Sequence, residues 1–106
     1  FDEMFVGGVA MGADGAIGTT FNVMGRRFVR ILDAMRAGDL AGALALQSRA
    51  NAVIDVLVDV GVFPGTKAML KILGLDCGPC RRPFAPLTPA QQARVEAIVT
   101  SHLGDR

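Results

Sequence analysis

In a chain of 106 residues whose apolar periodicity is otherwise helical, one stretch alone reads as a β-strand: Gly15 to Thr20, small and β-branched residues between turn formers. A single strand is a severe constraint, because its main-chain donors and acceptors need a ladder partner on at least one side. No second segment of the chain offers one. The partners are therefore expected to lie outside these residues. An open strand edge flanked by helices, with too few residues to close a sheet, is what remains when a (β/α)8 barrel is cut after its seventh strand. The opening on Phe1 in place of Met fits the same expectation of a carboxyl-terminal fragment.

The rest of the chain is read as helix. Asp2 and Glu3 precede Met4, Phe5, Val6, Val9 and Ala10, which suits a brief buried helix with carboxylates in its first turn, ending near Gly12 and weakened by Gly7 and Gly8. Asn22 is placed as an N-cap, and Phe28, Ile31, Leu32 and Met35 recur at helical spacing up to Gly38. Asp39 is expected to cap the longest helix, which runs to Gly61. Its apolar face carries Ala43, Leu46, Ala50, Val53, Ile54, Leu57 and Val58, while Gln47, Arg49, Asn51, Asp55 and Asp59 fall at polar positions. Pro64 suits the first turn of another helix that ends before Gly74. Thr88-Pro89-Ala90-Gln91 spells a capping box ahead of Val95, Ile98, Val99 and Leu103. Leu75 to Leu87 is the one long loop.

Half the residues are apolar (51%), with no Trp and no Tyr. A domain this small cannot easily hide that much apolar surface, so part of it is expected to face a missing body or another subunit. The net charge of +1 and the isolated Arg26-Arg27 and Arg81-Arg82 pairs give no electrostatic track for nucleic acid. No apolar run approaches the roughly 20 residues that cross a bilayer, and Asp2-Glu3 is wrong for a signal peptide. A cytoplasmic protein with no nucleic-acid or membrane partner is the expectation.

Three motifs compete for a chemical role. Cys77-Gly78-Pro79-Cys80 has the spacing of a redox pair, but that use places the first thiol at the amino end of a helix directly after a strand. Here it follows a helix and precedes Arg81-Arg82-Pro83, so two reduced loop cysteines are expected. That pair and His102 supply three metal ligands where a closed zinc site takes four, and no metal or cofactor is expected. Gly7, Gly8, Gly12, Gly15 and Gly18 fit neither a phosphate-binding loop nor a dinucleotide fingerprint.

Phe1-Asp2-Glu3-Met4 together with Gly12-Ala13-Asp14-Gly15-Ala16-Ile17-Gly18-Thr19-Thr20-Phe21-Asn22-Val23-Met24-Gly25 resembles the last third of the N-acetylneuraminate lyase branch of the pyruvate-dependent aldolases, the family that also holds dihydrodipicolinate synthase. The likeness runs over essentially the whole chain. It implies a carboxyl-terminal fragment of a (β/α)8 TIM barrel. Residues 1–38 would supply the end of the barrel, with helix seven, strand eight and helix eight, and residues 39–106 a carboxyl-terminal extension of three helices.

The resemblance also implies a site. Asp2, Glu3 and Thr19 would contact the polyhydroxylated tail of a sugar acid, and two carboxylates with a hydroxyl can accept the hydrogen bonds that vicinal hydroxyls offer. Ile17 and Phe63 would form apolar parts of the same cavity. Read without the likeness, Asp2 and Glu3 are helix-capping carboxylates. The family's Schiff-base lysine and its tyrosine lie upstream of Phe1, so no catalytic residue is assigned in this chain. Lys67 and Lys71 are read as helix-surface lysines, and the chain alone is expected to be inactive. The parent activity implied is reversible cleavage of sialic acid to pyruvate and N-acetylmannosamine, in a homotetramer. Dihydrodipicolinate synthase, a keto-sugar-acid aldolase, and a non-catalytic helical interaction module stand as alternatives.

Overall fold

The computed structural model describes residues 1–104. A 3-10 turn at Asp2–Met4 leads into α1 (Phe5–Ala10), then α2 (Phe21–Arg36), α3 (Leu40–Val60), α4 (Val62–Ile72) and α5 (Pro89–His102). Three of the helix ends are closed by one device. After α2, Gly38 N–H donates to Met35 O and Asp39 N–H to Ala34 O. After α4, Gly74 and Leu75 donate in the same pattern to Lys71 O and Leu70 O. After α1, Gly12 and Ala13 donate to Val9 O and Gly8 O. This double closure needs a left-handed residue just past the helix, and Gly38 and Gly74 supply it with φ of 77° and 97°.

The helix starts were also written locally. Asp39 accepts from Gly42 N–H at the head of α3, and Thr88 and Gln91 form the reciprocal box at the head of α5, with proline in its first turn. Asn22 does not act as expected. Thr20 occupies the N-cap of α2, and the Asn22 side-chain amide donates back to Thr19 O at 2.9 Å. Met24 breaks the helix path with φ −134° and ψ 22°, so the first turn of α2 is set at an angle to the rest.

The strand expected at Gly15 to Thr20 is absent. Residues 15–18 have no regular structure, 19–20 form a turn, and no strand occurs among the described residues. A strand exists only through its ladder, and no second extended segment lies beside this one. The segment is left spanning the distance between the closure of α1 and the entry to α2, with Asp14 to Ile17 exposed.

Helix α3 is the spine. The buried side chains of Ala43, Ala50, Val53, Ile54 and Leu57 face α2, α4 and α5, while Val58 on its outer side is exposed. At one end Phe5, Phe21 and Phe28 join α1 to α2, with ring centroids 4.1 to 5.9 Å apart. Large apolar side chains remain uncovered at the same end: Phe1, Met4, Met11 and Ile17 are all exposed. Among the described residues no helix is long and apolar enough to cross a membrane.

Candidate substrate site at the amino-terminal turn

The short turn that carries Asp2 and Glu3 is held from two directions. Asp2 reaches across to the head of α2, where its Oδ2 accepts from Thr20 Oγ1–H at 2.6 Å and from Thr20 N–H at 3.2 Å. The carboxylate thereby takes up an otherwise orphaned donor and lies at the positive end of the α2 dipole. This is a capping role, but for a helix eighteen residues on rather than for its own. The approach is possible because residue 18 is glycine: a Cβ there would overlap the Asp2 carboxylate.

From the other side, Gln47 and Asn51 of α3 hold the main chain. Gln47 is buried, 5% exposed, and its Nε2 donates to Asp2 O at 3.1 Å and to Asn51 Oδ1 at 2.8 Å. Its Oε1 accepts from Val6 N–H at 3.1 Å, a first-turn donor of α1 that has no side-chain cap of its own. Asn51 Nδ2 donates to Glu3 O at 3.4 Å. Sequence reasoning placed Gln47 and Asn51 only as polar positions. Their spacing of four on one helix face was visible, but their partner lies more than forty residues away.

The five residues singled out from the sequence are therefore not all brought together. Asp2 and Glu3 share the turn, and Thr19 is half-buried beside Thr20. Ile17 is fully exposed. Phe63 sits on α4, edge-on to Phe84 with centroids 5.2 Å apart, and among the described residues α4 packs on α2, α3 and α5 and not on the Asp2–Met4 turn.

A separate cavity of about 430 Å³ lies between α4, α5 and the loop joining them. Its lysines are committed to structure. Lys67 Nζ donates to Pro79 O at 3.0 Å and Cys77 O at 3.3 Å, and Lys71 pairs with Asp76 at 3.0 Å. The Gly78 N–H donated to Asp76, followed by Lys71 as hydrogen-bond donor and as charge, holds the Asp76 carboxyl below its ordinary pKa. Cys77 and Cys80 are free thiols, and no helix follows them until Pro89. Among the described residues no group of three His, Cys, Asp or Glu side chains could hold a metal ion.

The geometry at the turn makes one prediction. Gly18→Ala should force the Asp2 carboxylate off Thr20, with loss of a charge-assisted pair worth about 1–2 kcal/mol and a fall in Tm of roughly 5–10 °C. Gly15→Ala, where an added Cβ meets open space, should leave the thermal transition nearly in place. Equal effects of the two substitutions in a thermal melt would show that the Asp2–Gly18 approach is not what holds the turn.

The profile of the Dihydrodipicolinate synthetase family matches residues 1–102. An N-acetylneuraminate lyase of Rhizobium meliloti (strain 1021) is 50% identical over 106 residues, all of this chain and 36% of the relative. The N-acetylneuraminate lyase of Fusobacterium nucleatum, solved with pyruvate, superposes with a TM-score of 0.93 at 31% identity, over 97% of this chain and 35% of that one. CdNal of Clostridium difficile, solved with mannosamine, superposes with a TM-score of 0.92 at 32% identity, over 96% of this chain and 35% of that one. The chain spans about a third of the length of the relatives it matches. The five α-helices among the described residues thus match one part of a barrel fold. The chain belongs to the dihydrodipicolinate synthetase family.

Proposed function

We propose that this chain is the carboxyl-terminal third of a pyruvate-dependent aldolase of the N-acetylneuraminate lyase type, which cleaves a sialic acid reversibly to pyruvate and N-acetylmannosamine. The observation that carries the reading is the 50% identity to an N-acetylneuraminate lyase across the whole chain. Residues 1–38 end the barrel and residues 39–106 form its helical flank. The Asp2–Glu3 turn and Thr19 meet the hydroxylated tail of the sugar acid, and the exposed Ile17 and Phe63, on α4 away from the turn, are assigned to apolar parts of the wider cavity on the family likeness. Asp2 Oδ2 is engaged by Thr20, so the acceptors presented to hydroxyls are Asp2 Oδ1, the Glu3 carboxylate and Thr19 Oγ1.

The chain's own part in the reaction is to bind and orient. A Schiff base between pyruvate and a lysine upstream of Phe1 carries the bond cleavage. Lys67 and Lys71 are unsuited to that role, because a nucleophilic lysine needs a depressed pKa from burial or a cationic neighbour. Lys67 is instead wrapped by two carbonyls and Lys71 is paired with a carboxylate. Homotetramer formation and a cytoplasmic location belong to the same proposal, on the resemblance to the family.

Intact mass after treatment with pyruvate and borohydride tests the assignment, since reduction turns the Schiff base into a permanent adduct. The full-length protein is expected to carry one adduct and to release pyruvate from N-acetylneuraminate, and the 106-residue chain is expected to carry none. An adduct on the short chain, or none on the full-length protein, would overturn it.

A further inference from the structure

Among the described residues, Gln47 is the one amide whose side chain meets the turn, α1 and its own helix at once. Its orientation is fixed by its partners. Oε1 faces the Val6 N–H while Nε2 faces two oxygens, Asp2 O and Asn51 Oδ1, so a flipped amide would set donor against donor and acceptor against acceptor. Asn51, one turn later on the same face of α3, takes the next carbonyl, Glu3 O. Two successive peptide groups are therefore pinned to a long rigid helix at two points. The two planes flank Glu3, so holding them sets the direction of its Cα–Cβ bond, and the first of them fixes the chain on one side of Asp2. The carboxyl side of the turn is held separately, by Thr20 on Asp2.

We infer that Gln47 and Asn51 are positioning residues for sugar-acid recognition: they fix the Asp2–Glu3 main chain so that both carboxylates meet the hydroxylated tail of the substrate. The inference rests on the proposed aldolase reading. It assigns the appended helix α3, which carries neither of the contacting carboxylates, a part in specificity. Binding sites held on rigid elements by buried hydrogen bonds lose affinity when the supporting bond is removed, even though the contacting residue stays. The pyruvate half of the reaction does not use these carboxylates, so the two halves should separate.

The experiment is done on the full-length protein with two variants. Gln47→Glu keeps the acceptor for Val6 N–H but turns an anionic oxygen toward Asp2 O and Asn51 Oδ1; Asn51→Ala removes only the bond to Glu3 O and the Gln47 pairing. For Gln47→Glu, KM for N-acetylneuraminate is expected to rise about tenfold or more, and for Asn51→Ala about threefold, while the rate of borohydride trapping with pyruvate stays within about twofold. An unchanged KM in both variants would overturn the inference. So would a parallel fall of trapping and turnover, which marks a merely structural role. If Gln47→Glu does not fold, the half-buried Asn51→Ala decides alone. A wild-type protein that traps pyruvate but does not cleave the sugar acid overturns the substrate reading and this inference together. An active wild type with unaffected variants overturns this inference only.

Discussion

Arg27→Met is expected to cost the fold about 3 kcal/mol, because it removes a buried guanidinium that ties α2 to carbonyls of α3 and α5. Arg27 is 0% exposed in α2, a rare position for an arginine. Its Nη1 donates to Arg49 O of α3 at 3.3 Å and lies 3.4 Å from Met24 Sδ, and its Nη2 donates to His102 O at the end of α5. His102 O is one of the last carbonyls of α5 and has no acceptor duty within the helix, so the guanidinium closes the end of α5 and meets the negative pole of its dipole. One planar fork thus joins three helices. Methionine matches much of the volume but offers no donor, so His102 O loses its partner while Arg49 O keeps only its bond within α3. The expected result is a fall in Tm of more than about 10 °C, with α5 amides exchanging faster than those of α3. Arg27→Lys should fall between, since one ammonium keeps the charge but cannot reproduce the fork. A methionine variant as stable as the wild type would show that the guanidinium is dispensable.

The contrast between Arg27 and Thr88 shows what the sequence could reveal. Thr88, Pro89 and Gln91 act within one turn of chain, so their roles follow from spacing alone, and Asp39, Gly38 and Gly74 are legible for the same reason. Arg27 stands beside Arg26 in a pair that reads as surface charge, yet one is exposed and the other wholly buried. Only the placement of α3 and α5 around α2 separates them. Gln47 was hidden in the same way: on a helical wheel it is a polar residue, and its burial depends on a turn brought from the start of the chain. The strand at Gly15 to Thr20 failed for a related reason, since its β-forming residues are a local property and its ladder is not. Asp2, Glu3 and Thr19 became candidates through the family likeness, and Thr20 and Gly18 did not, because they act on Asp2 rather than on a ligand.

Gly65→Val is expected to destabilise the chain by about 3 kcal/mol, through a close approach of α4 to α3 that only glycine allows. A Cβ at residue 65 would lie 2.7 Å from Leu57 Cδ2 and 2.9 Å from Val60 Cγ2. Neither neighbour can step aside easily, since Leu57 is 0% and Val60 6% exposed. Helix propensity pulls the other way, as glycine within a helix costs about 1 kcal/mol relative to alanine. That gain offsets part of the overlap in the mild case, so Gly65→Ala should lose only about 1 kcal/mol. Valine adds two methyls and no comparable propensity gain, so the overlap dominates. Urea unfolding should show a lower midpoint with an unchanged slope. A double-mutant cycle identifies the cause: Leu57→Ala costs about 2–5 kcal/mol in the wild type but should cost clearly less in the Gly65→Ala background, where it opens the space the new methyl needs. Additive losses would mean that α4 moves as a body instead. Phe63, two residues before the glycine, would then shift with it, and the apolar side of the proposed substrate cavity would depend on the same contact.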